Sequence, residues 1–304
     1  MSQNNSYEWG EGVYTLLSWF KKDKVKNAKV LVAGAGALGN EVIKNLALFG
    51  IGHIFVVDFD KIEISNLTRS VLFREDDAYS HSYKAEIVAK RAKEINPQIE
   101  VTPIIGNLFS DVGFGIYKSV DVIIGCLDSR IARYLLNRLA LRASKTWIDG
   151  SIENMTGVVK VYTPELNCYE CGLSREEFNN IMLRTGCADV VRRQNSAGRV
   201  ATTPISASII GAIQVQEAMK IIHLDENEPA PFKTLQGKML RYEGMTNSIN
   251  IYKYSSWKRN CPAHETWNNI IKVEELSATN SIINVLQTLK RILNVENVEI
   301  NMKN

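Results

Sequence analysis

Several kinds of excess are missing from this sequence, and each absence excludes something. The 36 Lys and Arg stand against 33 Asp and Glu, a net charge of +3 over 304 residues, with no basic stripe and no acidic tail. The electrostatic footprint of a nucleic-acid or membrane-surface protein is therefore absent. No apolar run lasts the thickness of a membrane, because the longest stretch, Ile205–Ile222, is broken by Gln214, Gln216, Glu217 and Lys220. No signal peptide precedes the first apolar strand, so the expected location is cytoplasmic. The cysteines number only 5, an odd count unsuited to a disulfide framework. A CxxC among them points instead to metal or redox chemistry. There is no internal repeat and no low-complexity tract, and no Arg occurs before Arg69. With 45% apolar and 23% charged residues, what remains is the composition of an ordinary globular protein.

The most informative stretch runs from Lys29 to Asp60. Lys29–Ala33 is an apolar, β-branched run, after which Gly34, Gly36 and Gly39 keep the GxGxxG spacing. That spacing suits a tight turn, a close backbone approach to phosphate and close packing of helix on strand. Val42, Ile43, Leu46 and Phe49 give the following helix an apolar face, Gly50 stops it, and Ile54–Val57 leads to Asp58, placed to take a ribose hydroxyl. This is half of a doubly wound, Rossmann-like α/β fold with a mostly parallel sheet, and it specifies a nucleotide without saying which.

The rest of the chain fits that frame. Residues 1–28 read as a polar start and one short helix with Val13, Leu16, Leu17 and Phe20 on one face, a cover for the sheet or a dimer contact. The loop DKIEISNLTRSVLF leaves the carboxyl end of the second strand, where open α/β sheets bind ligands. A helix over Lys84–Ile95 follows, then strands at Glu100–Ile105, Asp121–Cys126 (apolar throughout, hence central), Trp147–Ser151 and Gly157–Tyr162, with a helix over Ser129–Lys145 between the second and third of these. Residues from about 164 to 202 read as a crossover loop; Thr203 and Pro204 then open a helix reaching His223. Lys238–Tyr242 and Ser248–Tyr254 make a hairpin. The expected division is an N-terminal helix (1–28), a nucleotide-binding domain (29–264) and a small strand–helix–strand unit (265–304), with strands at Ile270–Val273 and Val298–Asn301 and a helix over Asn280–Leu293.

Four features carry chemistry. Asp58, Asn66, Arg69 and Lys84 put an acid, an amide and two cations near the glycines, a set that suits a triphosphate and its ribose better than a nicotinamide dinucleotide. Asp128, just past the fourth strand in CLDSR, either holds Mg²⁺ or caps the next helix. Cys168 and Cys171 in CYEC, with Cys261 and His264 later, form two short-spaced pairs that suit a closed tetrahedral Zn²⁺ of structural type. Cys187, near Arg184, Arg192 and Arg193, is either an activated thiol or a small buried hydrophobe, while Cys126 in DVIIGC reads as core.

Taken in order, GAGALG, DFDKIEISNLTR, YKAE, LDSRIARYLLNR and CYEC resemble the ubiquitin-activating enzyme superfamily, which includes the bacterial adenylyltransferases of thiamine and molybdopterin biosynthesis. The resemblance runs from about Lys29 to His264. It implies that Asp58 and Asp60 belong to the ATP site, that Asn66, Arg69 and Lys84 contact the phosphates, and that Asp128 supports the Mg²⁺. The implied reaction is attack of a protein's C-terminal glycine carboxylate on the α-phosphate of ATP. A cysteine 16 residues after CYEC is similar in placement to the one that takes the acyl group as a thioester in ubiquitin-like-protein activating subunits, which implicates Cys187. The implied partners are a ubiquitin-like or sulfur-carrier protein and a conjugating enzyme. The alternatives are carrier or peptide adenylation without a thioester and a non-catalytic partner subunit; retention of Asp58, Arg69, Lys84 and Asp128 argues against the last. This chain departs from the family in Ser70, where Gln is common, in Ser129 for Asn, in His264 for Cys, and in lacking the N-terminal Arg that homodimeric members reach toward a partner's ATP. Either Lys21 or Lys22 replaces that Arg in a homodimer, or a different subunit supplies it in a heterodimer.

Overall fold

A computed structural model describes residues 9–10, 12–185, 202–225, 229–253, 261–264, 273–277 and 279–298. Two compact units divide the chain, Met1–Thr266 and Trp267–Asn304.

The first unit runs through α1 (Lys22–Asn27), β1 (Lys29–Ala33), α2 (Ala37–Phe49), β2 (His53–Val57), α3 (Glu75–Tyr79), α4 (Lys84–Ile95), β3 (Glu100–Ile104), α5 (Phe114–Ser119), β4 (Val122–Gly125), α6 (Arg130–Arg142), β5 (Trp147–Glu153), β6 (Thr156–Tyr162), α7 (Arg175–Thr185), α8 (Pro204–His223), β7 (Lys238–Glu243) and β8 (Ser248–Lys253). The strands form one sheet of 8 in the order β3-β2-β1-β4-β5-β6-β7-β8. All pairs from β3 to β5 are parallel, with Val30 level with Ile54 on one side and Val122 on the other. The pairs from β5 onward are antiparallel. The strand order reverses direction between β1 and β4, the switch point at which an open α/β sheet leaves a crevice outside its carboxyl edge.

Both faces of the sheet are covered, which is why β1 and β4 read as unbroken apolar runs. One core joins Val30, Val32, Ile54 and Ile124 to Val42, Leu46, Val88, Ile210 and Val215; the other joins Leu31, Ile123 and Trp147 to Tyr117, Leu136 and Ala140. α2 ends as its sequence requires, on Gly50 in the left-handed region (φ +80°), with the Gly50 and Ile51 N–H groups bonding back to Leu46. α8 starts on Thr203, whose hydroxyl accepts the Ser206 N–H at 3.1 Å, with Pro204 in the first turn. It is the one described helix long and apolar enough to cross a membrane. Here it is a core helix, pressed so closely on α2 that a Cβ on Gly211 would stand 2.8 Å from Glu41.

Two expectations change. The segment before β1 is no continuous amphipathic helix: it makes a single 3₁₀ turn at Tyr14–Leu16 and then α1, with Val13 and Leu16 exposed. Gly10 and Gly12 both take positive φ, which departs from a helical path. Aromatic groups do the anchoring instead, as Trp9 Nε1 and Tyr14 OH both donate to the Leu48 carbonyl, at 2.8 and 2.9 Å. The expected crossover loop likewise contains a helix, α7. Cys187 lies outside the described residues.

In the second unit α9 (Ile282–Leu293) is capped by Ser281, whose hydroxyl accepts the Asn284 N–H at 3.3 Å, and stopped by Asn294 in the left-handed region. The two strands expected beside it fall mostly on residues outside those described.

Candidate functional site

The three glycines after β1 separate into two roles. A Cβ on Gly34, which has φ +98°, would lie 2.5 Å from the Cys126 carbonyl oxygen, and one on Gly39 would lie 2.1 Å from the Gly34 oxygen. These two let the turn pass beneath β4 and let α2 seat on it. Gly36 has nothing within 4 Å of its Cβ position. It is the N-cap of α2, so its open side faces the helix's free N–H groups and positive dipole end, a cradle for an anion.

Asp58 closes the turn from β2. One carboxylate oxygen accepts the Ala35 N–H at 2.7 Å and the other the Asp60 N–H at 2.8 Å. Burial pushes its carboxyl above the ordinary range, against the pull of Lys84 and of those two N–H groups. Lys84, at the start of α4, is drawn to the same place by Asp60, whose carboxylate accepts from Nζ at 2.7 Å. Arg69 is steadied by the Ser65 carbonyl at 2.8 Å. Asn66 uses its side-chain oxygen within its own turn, accepting the Glu63 N–H at 3.0 Å. Asp128 is exposed just beyond β4. It is not the cap of α6, since the Ser129 hydroxyl accepts the Ala132 N–H. The structure thus brings Asp58, Asp60 and Lys84 into one bonded group beside the glycine turn and places Asn66, Arg69 and Asp128 on the segments that leave the same carboxyl edge.

Cys168, Cys171, Cys261 and His264 converge, their ligand atoms all within 4.8 Å of one another. Cys168 Sγ stands 3.7 Å from both Cys171 Sγ and Cys261 Sγ, and Cys171 Sγ stands 3.4 Å from His264 Nε2. A tetrahedron with Zn–S bonds of about 2.3 Å has S···S edges of about 3.8 Å and S···N edges of about 3.5 Å, so the donor set fits. His264 Nδ1 donates to the Pro164 carbonyl at 3.2 Å, which leaves Nε2 as the ligand. α6 holds the CYEC turn in place: Arg138 grips Glu170 with two bonds of 2.8 and 3.1 Å, and Asn137 Oδ1 accepts the Tyr169 N–H at 3.1 Å. Asn137 Nδ2, on the same side chain, is a buried donor without a hydrogen-bond partner among the described residues.

Two groups of contributors are not visible as motifs. Asn40, fully buried in the first turn of α2, donates to the carbonyls of Ala35 (2.9 Å) and Gly36 (3.0 Å) and accepts the Leu72 N–H (2.9 Å). It ties the glycine turn to the segment that carries Arg69. Arg133 and Asp149 form a buried pair behind Asp128 at 2.8 Å. A polar residue inside an otherwise apolar helix face or strand is the only sequence signal for these.

A mostly parallel, doubly wound sheet with a glycine turn, a buried acid and cations beside its switch point makes this a Rossmann-like α/β protein. Residues 14–263 match the ThiF family, and the chain belongs to it. It is 30% identical over 241 residues to "Adenylyltransferase and sulfurtransferase MOCS3" of Culex quinquefasciatus, an alignment covering 79% of this chain and 50% of that relative. The chain therefore spans half of that protein's length. It is 29% identical to the "SAMP-activating enzyme E1" of Haloferax volcanii, covering 79% of this chain and 81% of the relative. Among solved structures, E. coli MccB with ATP superposes with a TM-score of 0.62 at 26% identity, over 80% of this chain and 68% of that one.

Proposed function

We propose that this protein adenylates the C-terminal carboxylate of a small ubiquitin-like or sulfur-carrier protein, using ATP. The observation that carries the reading is the open Gly36 cradle with Asp58 and the Asp60–Lys84 pair beside it, in a chain of the ThiF family. The names of its relatives, adenylyltransferase and activating enzyme, point the same way. A carboxylate oxygen of the carrier attacks the α-phosphorus, forming the acyl–phosphate anhydride as the bond to pyrophosphate breaks. Asp58 retains lone pairs for the ribose hydroxyls. Lys84 exchanges Asp60 for phosphate oxygens, Arg69 and Asn66 add donors from the loop, and preorganised donors of this kind each contribute ~10²–10³ in rate. Asp128 would hold Mg²⁺, which supplies charge neutralisation on the phosphates when bound. The Cys168, Cys171, Cys261 and His264 set would hold Zn²⁺ in a structural role. Cys187 then takes the acyl group as a thioester with release of AMP, in a cytoplasmic homodimer or heterodimer that passes it to a conjugating enzyme.

The test is ATP–pyrophosphate exchange stimulated by a glycine-terminated carrier. Asp128→Ala is expected to abolish exchange without lowering the melting temperature, because Ser129 and not Asp128 caps α6. Cys187→Ala is expected to keep exchange and lose a reductant-sensitive adduct with the carrier. An adduct that survives in Cys187→Ala would remove the thioester step and leave direct transfer to another nucleophile; the absence of exchange with any such carrier would overturn the adenylation itself.

A further inference from the structure

We infer that Arg133 is a positioning residue, held by Asp149, that sets the backbone carrying Asp128. The inference rests on the proposed role of Asp128. Arg133 lies in the first turn of α6 with its side chain 12% exposed, and Asp149 lies on β5 at 5%. Its guanidinium reaches three acceptors, two on β5 and one in the turn between β4 and α6. Nε donates to Asp149 Oδ1 at 2.8 Å, while Nη2 donates to the Leu127 carbonyl and, at 3.3 Å, to that of Gly150. Leu127 immediately precedes Asp128. On the other side of Asp128 the Ser129 hydroxyl is fixed by the Ala132 N–H, and behind it the Cys126 N–H bonds to the Ala33 carbonyl at 2.8 Å. The backbone is therefore pinned on both sides of a carboxylate that is itself exposed.

Stability alone does not account for such a pair. Withdrawing two charges from water opposes most of their attraction, and replacing a buried ion pair with apolar groups of similar volume is often neutral or stabilising. What the pair supplies is geometry. A planar fork can engage a carboxylate and two carbonyls at fixed angles, whereas the single ammonium of a lysine cannot. Partners of this outer kind typically account for ~10–100-fold in metal affinity or activity.

The experiment measures ATP affinity with and without Mg²⁺, together with exchange rate and melting temperature, in intact protein. Wild type is expected to bind ATP more tightly with Mg²⁺, and Asp128→Ala to lose that gain. Arg133→Lys, which keeps the charge beside Asp149, is expected to keep ATP affinity in EDTA, to lose about tenfold or more of the Mg²⁺ gain, and to need more Mg²⁺ for half-maximal exchange. The double variant Arg133→Met with Asp149→Leu is expected to melt near wild type and show the same loss. A Mg²⁺ gain equal to wild type in either folded variant overturns the inference while leaving the adenylation reading intact. Wild type that binds no ATP overturns that reading and this inference with it.

Discussion

His223 shows how one ring can carry a pH dependence. At the end of α8, Nδ1 donates to the Met219 carbonyl at 2.6 Å and Nε2 accepts the Lys21 N–H at 2.9 Å, a pattern only the neutral imidazole can make. Burial lowers its pKa below the usual 6.5, and Lys24 and Lys21 add to the effect. In the window from 6.5 down to that lowered value the unfolded chain binds the extra proton, so stability is full above the window and falls as pH drops through it. His53, also lowered by burial, adds in the same direction. We expect the melting temperature to fall between about pH 7.5 and pH 5.5 and His223→Gln to flatten that fall in part, leaving the His53 share; an unchanged slope would show that the ring does not titrate with folding. At this scale sequence reading reached some groups and not others for a plain reason. Gly34, Gly36 and Gly39 announce themselves because the turn they build is contiguous. Asn40 accepts an N–H from 32 positions away, and Arg133 and Asp149 pair across 16, so nothing local marks an Asn, Arg or Asp whose decisive partner lies on another element.

Among elements, α7 is legible in the sequence even though the crossover stretch as a whole reads as loop. Ser174 and Glu177 exchange bonds, the Ser174 hydroxyl accepting the Glu177 N–H at 3.2 Å and Glu177 accepting the Ser174 N–H at 3.0 Å, which is a capping box written as SREE. Phe178 and Ile181 then pack on Tyr134, giving the helix its inner face. Before β1 the opposite holds: Val13, Leu16 and Leu17 keep a helical period, yet Trp9, Tyr14 and Phe20 find the partners, with Tyr14 and Phe20 rings 4.7 Å apart. The Cys168 turn allows a direct check. We expect about one zinc per chain by metal analysis, and Cys168→Ser or a chelator to remove it and loosen the CYEC turn and the Cys261–His264 turn together, seen as increased amide exchange in both. Full metal retention in Cys168→Ser would rule out that ligand set.

At the scale of the molecule, the nucleotide-binding frame was the most legible part because βαβ units state their order in the sequence, while the antiparallel end of the sheet depends on pairings between distant segments, such as Val159 with Leu240. Among the described residues, every strand of the sheet lies before the second unit, Trp267–Asn304. We expect truncation before Asn268 to spare pyrophosphate exchange and to weaken transfer to a carrier or conjugating partner; unchanged transfer would assign the unit no role in docking. The Cys168–Cys261 contact spans 93 positions and so encloses α7, α8, β7 and β8. Seen as polymer physics, a metal there is a cross-link that closes a ring containing α7, α8 and the β7–β8 hairpin. A covalent bridge over a ring of that size would restrict the unfolded chain by about 4–5 kcal/mol in the chain-entropy account. A metal that stays on the unfolded chain would act through the same restriction, and one that leaves on unfolding would couple the melting of α8 and the hairpin to the free metal concentration.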